Sequence, residues 1–396
     1  MTTFKELALP EALQHKLDAL GFDTPTPVQE RAIPAALEHR DILGSAQTGT
    51  GKTAAFSIPL LTKIMNHADV YGIIVTPTRE LALQVDEQIR AFLSAKSKIR
   101  SVVLIGGASI ERQVQALGKR PKIIVGTPGR IIDHLERKSL DLSGFNYVVL
   151  DETDRMLDMG FSAPIAEIFS HVSEERQTLL FSATLPKNIQ KISAQYLQTP
   201  VRIEMGQVNS VGDNIVQSTQ FVSKDGKFEM LVDALREHDQ SAIVFMNSKF
   251  ATEKMAKRLK SAGITAEAIH GDLRQSKRER VISNLRDNKF RVLVATDVAA
   301  RGIDVPHIHQ VINFDLPRQT EDYIHRIGRT GRNGAQGIAL NLATRDDMEK
   351  LNEIERLINP EAAKLAHKRP AGKPARKKPQ AKGRWRNKKS NRARAA

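Results

Sequence analysis

The 396-residue chain contains no cysteine. That excludes a disulfide framework, a thiolate metal site and a cysteine nucleophile, and it suits a reducing cytosol. Aromatic residues make up only 5%, with one tryptophan and four tyrosines, so a base-stacking platform is not expected to dominate. No apolar run approaches the length of a membrane span. The N-terminus, Met1-Thr2-Thr3-Phe4-Lys5-Glu6, lacks the basic-then-apolar layout of a signal peptide. These absences point to a cytoplasmic protein with no membrane partner.

What is present is charge, unevenly placed. The net charge is +15. Residues 361–396 hold 14 Lys/Arg and one acid, which leaves 46 bases and 44 acids for residues 1–360. The body is near neutrality and the tail is a polycation. From Pro370 onward Pro, Gly, Lys, Arg and Asn dominate, and nothing there could bury a core. Such a disordered arm suits an anionic polymer, most often nucleic acid. A solubilising tail without a partner is the alternative.

The body alternates short apolar runs with helix-like segments. The runs are Asp41–Ser45, Gly72–Val75, Ser101–Ile105, Lys122–Val125, Tyr147–Leu150 and Thr178–Phe181. A second series is Gln217–Val222, Ser241–Phe245, Ala266–His270, Arg291–Ala295, Gln310–Phe314 and Gly337–Leu342. This β-α repeat predicts mainly parallel sheets covered by helices. Right-handed crossovers place every strand's C-terminal end on one edge, where ligands bind. Leu7 to Leu20 has helical spacing, broken by Gly21 and Pro25. Thr26 then caps a helix with Pro27 at its first position, running toward Leu37. A last helix spans roughly Arg345 to Ile358. The expected division is residues 1–205, a polar linker 206–216, a second α/β domain 217–360 and the tail 361–396.

Two stretches carry chemistry. Ala46-Gln47-Thr48-Gly49-Thr50-Gly51-Lys52-Thr53 follows the first strand and opens a helix. It fits the phosphate-loop pattern except that Ala46 replaces the first glycine. Gly49 and Gly51 let the backbone curl so that N–H groups face phosphates. Lys52 adds positive charge, Thr53 offers a hydroxyl to Mg²⁺, and the helix N-terminus adds its dipole. The other stretch is Val148-Val149-Leu150-Asp151-Glu152-Thr153-Asp154. A strand that stops at three acids suits a metal site at a sheet edge, although such acids also cap helices. With the phosphate loop upstream, Asp151 fits the Mg²⁺ shell and Glu152 fits the residue that orients or deprotonates water.

The chain resembles a DEAD-box ATP-dependent RNA helicase of superfamily 2, of bacterial type, with the box written Asp-Glu-Thr-Asp. The resemblance runs from about Phe4 to Leu351, with the motifs in the family's order. It implies two tandem RecA-like domains, ATP and Mg²⁺ as cofactors, and single-stranded and duplex RNA as partners. In the adenine-reading segment Gly21–Gln29, it implies that Phe22 stacks on adenine, with Thr24 nearby, and that Gln29 bonds the adenine edge. Gln both donates and accepts, which suits that edge. Phe4 resembles the family's isolated upstream aromatic.

The resemblance assigns RNA backbone contacts to Pro77-Thr78-Arg79, Gly107 and Thr127-Pro128-Gly129-Arg130 in the first domain. In the second it adds Gly271, Thr296 and Arg301. Asp304 would lie near the ATP ribose. Arg326 and Arg329 of His325-Arg326-Ile327-Gly328-Arg329 would reach the γ-phosphate, and His325 would join interdomain hydrogen bonding. Asp154, Ser182 and Thr184 would couple nucleotide state to unwinding, with Asp154 bonding the two hydroxyls. Thr153 departs from the family's alanine and adds a hydroxyl beside that network.

The implied activity is an RNA-dependent ATPase that opens or remodels short RNA duplexes and RNA–protein complexes by cleft closure. Ribosomal and mRNA-decay particles are compatible settings. An ATP-gated RNA clamp with little unwinding, or a DNA helicase, are the alternatives.

Overall fold

A computed structural model describes residues 3–46, 49–205, 214–300, 303, 305, 307–331 and 335–359, the Val298 side chain apart. Gln47, Thr48, Arg301, Asp304, most of the expected linker and the basic tail lie outside the described residues.

The first sheet is formed by β1 (Ile42–Ser45), β2 (Gly72–Val75), β3 (Ser101–Leu104), β4 (Ile123–Gly126), β5 (Tyr147–Leu150), β6 (Gln177–Ser182) and β7 (Val201–Glu204). Their order is β3-β4-β2-β5-β6-β1-β7, and every pairing is parallel. Most are Ile, Val and Leu runs buried on both faces, as a sheet sandwiched by helices requires. One apolar cluster lies on each face.

The second sheet holds β8 (Ile215–Phe221), β9 (Ala242–Phe245), β10 (Ala266–Ile269), β11 (Val292–Ala295), β12 (Gln310–Asn313) and β13 (Gly337–Ala343). Its order is β10-β11-β9-β12-β13-β8, again parallel throughout. The two α/β domains are RecA-like.

Differences from the sequence expectations are local. β7 was not expected; it is a short edge strand with two exposed positions, so its apolar signal is weak. β8 begins at Ile215, because Ile215 and Val216 pair with Gly337 and Ile338. The last two residues of the expected linker therefore belong to the sheet. The first α-helix starts only at Glu11, behind Pro10. Phe4–Glu6 forms a separate 3₁₀ turn. The last α-helix is Met348–Ile358, preceded by a 3₁₀ turn at Arg345–Asp347. Thr26 does cap the helix Pro27–Leu37.

Candidate functional site

Strand order divides the first domain's C-terminal edge into two halves. β1, β5 and β6 are neighbours, and their ends carry the phosphate loop, the three acids and Ser182-Ala183-Thr184. β3, β4 and β2 are neighbours on the other side, and their ends carry Gly106-Gly107, Thr127–Arg130 and Pro77–Arg79. The second domain lies against both halves.

In the phosphate-loop half, Gly51 has φ +93°, and a β-carbon there would sit 2.3 Å from Gln29 Nε2. Only glycine fits that position. Gln29 is buried. Its Oε1 accepts from Thr26 N–H at 3.0 Å, closing a capping box, and its Nε2 donates to Gly51 O at 3.0 Å. Thr26 Oγ1 donates to Thr50 O at 2.8 Å. Gln29 thus ties the helix start to the loop, whatever else it reads. Lys52 opens the helix Lys52–Asn66, is buried, and donates from Nζ to Ala46 O at 2.8 Å. Thr53 follows it, half-buried. Phe22 is half-buried and makes edge contacts with Phe4 and Phe92, at 5.8 and 5.4 Å between ring centres. Thr24 is exposed.

The acids at the end of β5 are held differently from one another. Asp151 is buried, and its Oδ1 accepts from Glu152 N–H at 2.9 Å. Burial pushes Asp151 up to about 6, against the pull of Lys52 and with a further push from Glu152. Glu152 stands in the left-handed region, φ 49°, which costs a non-glycine residue about 1 kcal/mol or more. Its Oε2 is buried without a hydrogen-bond partner, with Arg155 Nε 3.7 Å from it. A strained carboxylate with an unsatisfied oxygen is poised for a ligand or water. Asp154 Oδ2 accepts from Ala183 N–H, Thr184 N–H and Thr184 Oγ1 at 3.0, 3.0 and 3.1 Å. The Ser182 hydroxyl does not join them. It donates instead to Thr184 O at 2.6 Å. Thr153 is fully buried, and its hydroxyl bridges Leu150 O and Phe181 O at 3.3 and 3.1 Å.

Across the cleft, Arg326 departs from expectation. Nε and Nη2 grip Asp297 at 2.5 and 2.8 Å. Nη1 donates to Asn313 Oδ1 and Asp315 O, and Nη2 also to Asn247 Oδ1. All five guanidinium N–H groups are engaged within the second domain, so none is left for a phosphate in this conformation. Arg329 donates to His325 O and Ile303 O. Arg155 and Asp322, 3.9 Å apart and both buried, join the domains beside His325, Arg326 and Arg329.

The other half is a groove of about 420 Å³. Pro77, Thr78, Arg79, Thr127, Gly129, Arg130 and Gly271 all line it. Thr78 Oγ1 caps the helix Arg79–Phe92 by accepting from Leu81 N–H. Gly107, at φ +80°, lets the Arg79 guanidinium lie on its backbone; a β-carbon would meet Nη1 at 2.5 Å. Pro128 is buried at the start of the helix Pro128–Glu136. Thr296 lies at the end of β11, its N–H on Ile269 O at 3.4 Å. Sequence reading missed Met159 and Phe161, which line the groove beside Gly271. It also missed Glu80, Arg155 and Asp322 as cross-domain contacts. Their partners are distant in sequence, and no local signal marks them.

The comparisons with known proteins decide the family. Residues 26–192 match the DEAD/DEAH box helicase family, and residues 226–334 the helicase conserved C-terminal domain. Over 358 residues the chain is 44% identical to the DEAD-box ATP-dependent RNA helicase CshA of Geobacillus kaustophilus, covering 90% of this chain and 76% of that protein. The chain belongs to the DEAD-box ATP-dependent RNA helicase family. A CshA of Bacillus anthracis is 46% identical, over 90% of this helicase and 68% of that protein. Among solved structures, S. cerevisiae Dbp5 bound to RNA and ADP BeF3 superposes on this helicase with TM-score 0.82 and 32% identity, covering 91% and 94% of the two chains. Mss116p bound to ssRNA and AMP-PNP gives TM-score 0.83 and 31% identity, covering 90% of this chain and 78% of that chain.

Proposed function

We propose that this helicase is an RNA-dependent ATPase that locally opens RNA duplexes and remodels RNA–protein complexes by closing the cleft between its domains. The observation that carries the reading is the divided sheet edge: the acids and phosphate loop occupy one half, the Arg79/Arg130 groove the other, and the second domain touches both. The working division is residues 1–205 for nucleotide, 206–216 as linker, 217–360 as the closing domain and 361–396 as a basic RNA-binding arm. The box Asp151–Asp154 is a variant carrying threonine at its third position. The absence of a helix long and apolar enough to cross a membrane, among the described residues, is compatible with a cytoplasmic setting.

Asp151 and the Thr53 hydroxyl suit Mg²⁺, a hard cation that takes oxygen ligands. Bound there with ATP, it would neutralise phosphate charge. Lys52 adds charge at the β- and γ-phosphates. Glu152 orients and deprotonates the attacking water with its unsatisfied Oε2. Arg329 is the arginine that meets the γ-phosphate; Arg326 instead anchors the helix Asp322–Ile327 that carries His325. Asp154 fixes Ala183 and Thr184, so movement of the box reaches the end of β6. On the groove side, Arg79 and Arg130 hold backbone phosphates, which favours binding with little sequence preference. Dbp5 and Mss116p, solved with RNA, support RNA as the polymer.

The test is ATP turnover with single-stranded RNA against DNA of the same sequence. Stimulation by RNA alone is expected, together with strand separation of short duplexes. Equal stimulation by DNA would overturn the RNA assignment. RNA-dependent turnover without strand separation would leave an ATP-gated clamp.

A further inference from the structure

We propose that Gln113 and His134 are positioning residues for Arg130, setting its guanidinium at the groove where an RNA phosphate binds. The inference rests on the function proposed above.

Arg130 and His134 are one turn apart on the helix Pro128–Glu136, so they share a face. Gln113 comes from the neighbouring helix Ile110–Leu117. His134 is fully buried, and Gln113 is 6% exposed. Gln113 Nε2 donates to Ile105 O at 3.0 Å, which fixes the amide with Oε1 facing the other way. Oε1 accepts from Arg130 Nη1 at 3.3 Å and from His134 Nε2 at 3.0 Å. An amide oxygen only accepts, so His134 must carry its proton on Nε2. Nδ1 then accepts from the Ser139 hydroxyl at 2.8 Å. Burial first, and the Arg130 charge second, hold His134 below the usual imidazole range. The ring stays neutral and keeps this single tautomer.

Arg130 is gripped on two more sides. Nη1 also donates to Ala108 O at 3.3 Å, and Nε lies 3.4 Å from Asp133 Oδ2. The chain Ser139–His134–Gln113 therefore joins the Gly106-Gly107 loop, through Ile105 O, to the Thr127–Arg130 loop. A guanidinium held this way loses less freedom on meeting a phosphate, and preorganisation of that kind raises affinity. None of these partners reaches the groove, so they act through Arg130. Ordinary core filling does not account for the pattern: an apolar pair would occupy the space without leaving four polar atoms to satisfy.

The experiment uses the full chain, Gln113→Met, which keeps volume but removes the acceptor, and His134→Phe, which keeps a ring. ATP turnover is titrated with a single-stranded RNA oligonucleotide, and RNA binding is followed by anisotropy against salt. Both variants are expected to raise KM for RNA about threefold to tenfold, the effect of losing one hydrogen bond. The fall in kcat at saturating RNA should be smaller. The salt slope should drop by up to about one, as for loss of one phosphate contact. In an Arg130→Ala background neither substitution should add further loss. Unmoved KM and slope, or losses that add fully to Arg130→Ala, would show packing alone and overturn the proposal. If the unsubstituted chain shows no RNA stimulation, the functional reading falls and this one with it.

Discussion

Arg278 of the second domain donates from Nε to Glu80 Oε1 of the first at 2.8 Å, with both side chains buried. Gln275 Nε2 also approaches Glu80 Oε1, and Arg79 Nη1 approaches Gln275 Oε1, each at 3.4 Å. Glu80 and Arg278 both line the groove beside Arg79, so the pair that joins the domains is part of the groove wall. If the cleft closes on its ligands, this pair forms on closure. Breaking a buried pair by removing one partner costs about 3–5 kcal/mol, because a charge is left buried. Arg278→Met should therefore raise the RNA concentration for half-maximal ATP turnover at least about tenfold. The melting temperature without ligands should change little, since an open cleft exposes Glu80 to water. Equal RNA requirements in variant and parent would show that the pair plays no part in closure.

In the function proposed above, Glu152 handles the attacking water. Glu152→Gln keeps its shape and removes the base. Hydrolysis should slow by about 10²–10⁴, the usual contribution of a general base. ATP and RNA binding should persist, giving a long-lived ternary complex that filter retention can measure. Fast single-turnover hydrolysis would reassign the base.

Thr153 has a structural task. Its hydroxyl bridges Leu150 O at the end of β5 and Phe181 O near the end of β6 from a fully buried position. Thr153→Ala removes one neutral hydrogen bond, worth about 1 kcal/mol, and lowers thermal stability accordingly. RNA-stimulated turnover should stay within a few-fold, because none of the three acids bonds to this hydroxyl. A collapse of turnover with normal melting would place Thr153 in the reacting site.

At the opposite end of the first sheet, Lys63 is buried and donates to His39 Nδ1 at 3.0 Å and to Gln177 Oε1. Burial lowers its pKa to about 8, with Asp41 pulling the other way. The folded state thus binds the lysine proton less tightly than the unfolded state. The penalty for burying the charge is present below pH 8 and fades as pH rises from 8 toward the unfolded value. Relative to Lys63→Met, the parent should gain roughly 1–2 kcal/mol of stability over that window, discounted for solvent reaching the pocket that Lys63 lines. Denaturant midpoints of both proteins at pH 7.5 and 10 measure this. The same substitution should let the His39 pKa rise, since the Lys63 charge is the main cause of its lowering. A pH-independent difference would show that Lys63 binds its proton equally tightly in the folded and unfolded states, so that burial carries no such penalty.

Much of this protein was legible in the chain before folding. Strand runs such as Gly72–Val75 and Tyr147–Leu150 could be read to the residue, because strands buried on both faces must be continuously apolar. The positions of the phosphate-loop stretch, at a strand-to-helix turn, and of the acids, at a strand end, were legible for a related reason: an apolar run that stops abruptly at glycines or carboxylates marks where a buried strand leaves the sheet. The groove loops could be placed on one edge because parallel strands put all their C-terminal ends together.

Strand order was not legible, and it alone divides that edge into a half that carries the phosphate-loop stretch and the acids and a half that carries the Arg79 and Arg130 loops. Order depends on packing between segments a hundred residues apart, where one apolar strand looks much like another. The same holds for single side chains. The sequence presents Arg326 and Arg329 as equivalent, three residues apart between glycines. The fold gives Arg326 five acceptors from three other segments, Asn247, Asp297 and Asn313–Asp315, and so engages every N–H group it has in this conformation. Composition and periodicity determine which elements form and which loops carry chemistry. Which donors remain available, and what Gln113 and His134 do for Arg130, is decided by hydrogen bonds that exist only once distant segments have met.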